Sequence, residues 1–151
     1  QEQPEATLHA YQRALAIAQS ADNPWFQQST WLEIGWWYVN QKQMPQAVDS
    51  YQKALAQAKL IDEVAVADVQ NRFGNAYFRS EQYPQALEAY QRSLTLYQAN
   101  KKLNEQAIVL GNIARAYEKQ GNFQQTLAYF QQQQTVYQSI QSDSRIDEAY
   151  S

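Results

Sequence analysis

Side chains able to do proton-transfer or metal chemistry are sparse in this chain. His9 is the one imidazole in 151 residues, and there is no cysteine to serve as nucleophile or thiolate ligand. The spacing puts His9 on the outer face of a terminal helix. Carboxylates sit side by side at Asp62–Glu63 and Asp147–Glu148, each at an expected helix start, where negative charge is favoured by the dipole. No His, Cys or carboxylate cluster has metal-ligand spacing. Gly111 stands alone, with no glycine-rich turn following a strand to cradle a phosphate. The expectation is therefore no enzyme, no cofactor and no metal. What remains is recognition chemistry: amides, guanidinium groups and aromatic rings, the rings densest in WLEIGWWYVN at 31–40.

A hydrophobic content of 44% and an aromatic content of 13% are ample for a buried core at this length. The net charge of −3 supplies no positive field for DNA, RNA or an anionic membrane. No apolar run approaches the ~20 residues that span a bilayer, and the N-terminal QEQPEATLHA lacks a signal pattern. Neither nucleic-acid binding nor membrane insertion is expected. Lack of cysteine fits the cytoplasm, the expected compartment, and an oxidising space equally.

Helices account for the whole pattern. Pro4, Pro24, Pro45 and Pro84 each precede a stretch of helical spacing, and proline suits the first turn, where its N–H is not needed. Asn23 can cap the helix that Pro24 begins, and Gly121 can end one helix in a left-handed turn before the next. No window alternates strictly between apolar and polar, so strands are not expected.

The chain also repeats itself. AVDSYQKALAQAK from Ala47 aligns with ALEAYQRSLTLYQ from Ala86, TLAYFQQQQTVYQ from Thr126 and, earlier, TLHAYQRALAIAQ from Thr7. Their anchors Tyr11, Tyr51, Tyr90 and Phe130 recur every 39 or 40 residues. Ahead of the last three lie IGWWY, FGNAY and IARAY, at 34, 73 and 113. Gly35 and Gly74 would let the first helix of a pair approach the second, where Ala47 and Ala86 are also small. A bulkier residue there would overpack the contact by roughly 1–3 kcal/mol. The interleaved tyrosines would each contribute roughly 1.5–3 kcal/mol on burial. A single pair cannot cover its own apolar face, so neighbours must stack.

This arrangement resembles the tetratricopeptide repeat in a long form of about 40 residues, as in kinesin light chains. The residues that carry the resemblance are Trp31, Ile34, Gly35, Tyr38, Ala47, Tyr51 and Ala54 in the first full unit. In the second they are Phe73, Gly74, Tyr77, Tyr83, Ala86, Tyr90 and Leu94. The third unit has Leu110, Ile113, Ala114, Tyr117, Gly121, Phe123, Thr126 and Phe130. Gln70 departs from the tryptophan-like position, Ala114 from the glycine, and the usual proline after the second helix is missing. The implied fold is an all-α, right-handed superhelical solenoid of antiparallel helix pairs, one array over 1–151. Residues 4–20 read as a lone second helix of a truncated repeat, 24–60, 63–99 and 103–140 as full repeats, and 144–151 as the start of a further first helix. The ends lack polar caps and read as cut from a longer array.

In that family the first helix of each pair (helix A) lines a concave face, which implies a lining for this chain. The first unit offers Ser29, Leu32, Glu33, Trp36, Val39 and Asn40. The second offers Asp68, Asn71, Arg72, Asn75, Phe78 and Arg79; the third, Ile108, Gly111, Asn112, Arg115, Glu118 and Lys119. From these the expected peptide-binding groove is Leu32, Trp36, Asn40, Asn71, Arg72, Asn75, Phe78, Arg79, Asn112, Arg115 and Lys119. Trp36 reads either as a shielded aromatic or as an apolar contact for a bound peptide. Asn amides can hold a peptide backbone, and Arg forks can pair with carboxylates. Glu33, Asp68 and Glu118 could instead pair with those arginines, leaving a mixed surface. The Lys–Asn–Asn–Lys–Arg clamp of chaperone-binding relatives is not reproduced. The expected function is a protein–protein interaction scaffold binding a peptide segment or partner helix, acidic residues among its features. The alternative is self-association of a larger protein's array through its open ends.

Overall fold

The computed structural model describes residues 3–149, and their side chains from 6 to 142. Among these the chain forms seven α-helices and no strand. In order they are α1 (Gln3–Ser20), α2 (Pro24–Asn40), α3 (Met44–Ala58), α4 (Glu63–Arg79), α5 (Tyr83–Ala99), α6 (Leu103–Lys119) and α7 (Phe123–Ala149). The closest packing is within the pairs α2–α3, α4–α5 and α6–α7, and each pair stacks on the next. Along one side α2 meets α4 and α4 meets α6, the layering of an all-α solenoid.

Local chemistry sets the helix starts. The Asn23 side chain accepts the Phe26 N–H at 3.0 Å and Pro24 opens α2, while Asp62 accepts the Ala65 N–H at 2.7 Å. Pro45 and Pro84 fall one residue inside α3 and α5, still within the turn that needs no donors. Most of the stops share one form. After α2, the N–H of Lys42 reaches the carbonyl of Val39 and that of Gln43 reaches Tyr38. Glu81 and Gln82 repeat this pair of bonds after α4, and Gly121 and Asn122 after α6. These Schellman closures need a left-handed residue. Gly121 supplies one at φ 74°, but Asp22, Lys42, Glu81 and Lys101 hold φ of 47–60° without being glycine.

Two buried clusters follow the repeat. Tyr51, Val69 and Phe73 centre the first, and Tyr90, Leu94, Tyr97, Leu110 and Ile113 the second. The Tyr51 and Phe73 rings lie 5.2 Å apart. Gly35 and Gly74 are points of close approach within their pairs: a Cβ on Gly35 would lie 2.7 Å from Cε1 of Tyr51, and one on Gly74 would run into the Tyr90 ring.

One boundary differs from the sequence reading. α7 continues through 141–149 as a single helix, so no turn sets off a new helix at 144. QSIQSDSR holds neither glycine nor proline, and the hydroxyl of Ser142 bonds back to the Ser139 carbonyl, so nothing there forces a stop. Residues 150–151, the end of that expected element, lie outside the described residues.

Candidate functional site

The side formed by α2, α4 and α6 carries two hollows that meet at Asn75. The larger, about 460 Å³, lies toward the N-terminal ends of the three helices and is lined by Trp25, Gln28, Ser29, Leu32, Asp68, Asn71, Arg72, Asn75, Tyr97, Glu105 and Ile108. The smaller, about 150 Å³, lies toward their C-terminal ends, among Trp36, Asn75, Phe78, Arg79, Tyr90, Asn112 and Arg115. Both open from one helical face because helix positions four or seven apart stack on one side.

A chain of hydrogen bonds fixes the polar wall. Arg115 donates to Asn112 Oδ1, and since a guanidinium only donates, the oxygen of Asn112 must point at it. The Asn112 amide nitrogen therefore donates to Asn71 Oδ1, at 3.1 Å. That leaves the Asn71 NH2 without a partner among the described residues. Asn75 likewise accepts the Tyr90 hydroxyl on Oδ1 at 2.8 Å, with its NH2 unused. In the first unit Trp36 stands where Asn75 stands in the second, so the hydroxyl of Tyr51, fully buried, has no partner among the described residues.

Charge is arranged unevenly. Arg79 lies over the Trp36 ring, 5.0 Å from its centroid, a cation–π contact that holds the guanidinium in the smaller hollow. Neither surface ion pair among the described residues, Lys53–Asp49 nor Arg92–Glu88, involves the groove arginines. In the larger hollow the Tyr97 hydroxyl donates to Asp68. Loss of hydration at the hollow's floor pushes the Asp68 carboxyl above its ordinary pKa, opposed by that hydrogen bond and reinforced by the nearby charge of Glu105. Burial, aided by Asp68, raises the Tyr97 phenol in turn.

The positions proposed from sequence divide as follows. Leu32, Asn71, Arg72 and Asn75 line the larger hollow. Trp36, Phe78, Arg79, Asn112 and Arg115 join Asn75 in the smaller one. Asn112 is 5% exposed and both ends of its amide are engaged, so it positions its neighbours. Trp36 is half-buried, packed on the first core cluster beneath Arg79. Asn40 sits apart, in a depression of about 370 Å³ with Lys42, Met44 and Arg79. Lys119 is exposed at the end of α6 and lines neither hollow. Of the wider lining, Val39 is buried in the core and Gly111 faces Gln133 of α7.

Trp25, Gln28, Glu105, Tyr90 and Tyr97 line the hollows without having been expected in the groove, Tyr90 having been read as a core anchor. Trp25 and Glu105 lie seven residues before Leu32 and Asn112, so extending the same helical spacing by two turns would have found them. The tyrosines come from α5, and no periodicity within the lining helices points to them.

Two stretches of the chain, 26–99 and 109–138, match the tetratricopeptide-repeat family. The chain belongs to that family. Tetratricopeptide repeats generally mediate protein–protein interaction as scaffolds. No curated protein matches its sequence. The crystal structure of BtubC (BKLC) from P. vanneervenii superposes with a TM-score of 0.78 over 91% of this chain, at 18% sequence identity. The chain spans 58% of the length of that structure's chain, and the likeness is one of fold. Among the described residues no tetratricopeptide helix is long and apolar enough to cross a membrane, and no three carboxylate or imidazole side chains gather as a metal site.

Proposed function

We propose that the array captures an extended segment of a partner protein along the groove between α2, α4 and α6. The observation that carries this is the pair of unused amide donors on Asn71 and Asn75. They are one turn apart on α4, about 6 Å along its axis. Every second carbonyl of an extended chain recurs at about 6.6 Å, so the two amides match such a backbone. A helical partner uses most of its carbonyls internally and offers no such row. Leu32 and Phe78 add apolar surface beside the amides. Arg79 and Arg115, without a carboxylate partner among the described residues, favour an acidic side chain on the segment.

The test is charge reversal, Arg79→Glu with Arg115→Glu, read by partner capture and by circular dichroism. Capture should fall at least tenfold with helicity retained, since charge-assisted hydrogen bonds contribute about 1.5–3 kcal/mol each. Undiminished capture places the site elsewhere.

A second reading is self-association through α7. Phe130 and Tyr137 are 40% and 46% exposed, whereas their repeat counterparts Tyr90 and Tyr97 are each 2% exposed in the cluster α5 shares with α6. Sedimentation over a concentration series separates the two: a monomer at all concentrations removes the second.

A further inference from the structure

The two hollows carry opposite charge. Asp68 and Glu105 face Arg72 in the larger, leaving one negative charge, while Arg79 and Arg115 leave two positive charges in the smaller, with no acid among its lining. Helix dipoles favour acids in a first turn and bases in a last turn, which accounts for Glu105 in α6 and Arg79 in α4. The effect fades beyond one turn. It does not account for Asp68, the sixth residue of α4, or Arg115, four residues before the last of α6. The lining of the larger hollow also includes Trp25, 59% exposed, together with its two carboxylates. A hollow that offers an aromatic ring and carboxylates together attracts a cationic side chain.

We infer that the groove reads a charge-polarised segment: a basic side chain beside Trp25, Asp68 and Glu105, and a carboxylate about four or six residues away beside Arg79 and Arg115. This rests on the proposed capture of an extended chain. The spacing comes from the helix that runs under both hollows. Asp68 and Arg79 are eleven residues apart on α4, about 16 Å along the axis. An extended chain covers that distance in about five residues at roughly 3.3 Å each, and because successive side chains alternate between faces, two that both enter the groove lie about four or six apart. Between the charges, backbone carbonyls meet Asn71 and Asn75, and alternate side chains meet Leu32 and Phe78. A segment laid in the reverse sense would bring its carboxylate to Asp68 and its basic group to two arginines, so the charges also fix direction. Asp68 is already resisting ionisation in a poorly hydrated place, and an arriving cation relieves it.

The experiment is selection of randomised nine-residue peptides displayed on phage, using the purified 1–151 chain as bait. Enriched peptides should pair Lys or Arg with Asp or Glu about four or six positions apart. For a synthetic peptide of that pattern, Asp68→Asn with Glu105→Gln should weaken binding about tenfold. The amide oxygen introduced by Asp68→Asn can still accept the Tyr97 hydroxyl, so the fold is kept. The same variant should bind the peptide unchanged once its basic residue is replaced by norleucine. Leu32→Ala with Asn71→Ala tests capture by itself, with helicity checked by circular dichroism. Peptides that depend on Leu32 and Asn71 but ignore Asp68 and Glu105 overturn the polarity and leave capture standing. If no enriched peptide depends on Leu32 and Asn71, capture and polarity fall together.

Discussion

Replacing Tyr51 with phenylalanine should stabilise this protein, although it removes a polar group from a well-packed core. The Tyr51 ring is fully buried, 5.2 Å from the Phe73 ring and close against Gly35, and phenylalanine keeps all of those contacts. Its hydroxyl has no hydrogen-bond partner among the described residues. Burying an unpaired hydroxyl costs about 1–3 kcal/mol relative to leaving it in water. Deleting it should recover about 1–2 kcal/mol, after allowing for the small space left behind. For a chain of this size that is a rise in Tm of roughly 2–8 °C. The control is Tyr90→Phe at the equivalent place in the next repeat, where the hydroxyl donates to Asn75 at 2.8 Å. That substitution should lower stability by about 0.5–1.5 kcal/mol. Thermal and urea unfolding followed by circular dichroism read both variants on one scale. If Tyr51→Phe lowers stability as much as Tyr90→Phe does, the two hydroxyls are equivalent and the reasoning from repeat position fails.

Three further outcomes follow from the same structure. Gly74→Ala should destabilise by roughly 1–3 kcal/mol, because the new methyl group meets the buried Tyr90 ring; a urea midpoint equal to the parent's would contradict this. Glu81→Gly should stabilise by about 0.5–1 kcal/mol, as relief of the left-handed strain at φ 60° exceeds the added freedom of the unfolded chain; calorimetry should show a rise of roughly 1–4 °C. Burial raises the phenol pKa of Tyr51, Tyr90 and Tyr97 above the ordinary value of 10.0. The folded state then holds protons that the unfolded state releases. This stabilisation is complete below pH ~10 and is lost as pH rises through the folded values, at up to about 1.4 kcal/mol per pH unit for each tyrosine. A urea midpoint that stays level between pH 9 and pH 11.5 would refute that assignment.

The period of 39 or 40 residues, the small residues at 35, 74, 47 and 86, and the caps at Asn23 and Gly121 are all legible in the sequence, and the solenoid follows from them. These features are local: each depends on residues within one helix or across one short turn, where spacing alone says which side chains meet. The stops at Lys42, Glu81 and Lys101 are less legible, because the short turns within and between the pairs take a left-handed residue without glycine being present. Nothing in the sequence ends α7 at 141–143, and the structure carries it on.

The lining helices and the groove positions are what the resemblance to the tetratricopeptide repeat implies, not what spacing alone gives. Tertiary structure alone decided how those positions divide. Which amide ends remain free on Asn71 and Asn75 depends on Arg115 reaching Asn112, and on Tyr90 crossing from α5. The separation of acid from base into two hollows depends on Asp68 and Glu105 meeting across two helices, with Tyr97 beneath them. Arg115 and Asn112 are three apart on α6, and Tyr90 and Asn75 fifteen apart within one hairpin. Asn112, however, reaches Asn71 across 41 positions, and only the stacking of one hairpin on the next brings those two together.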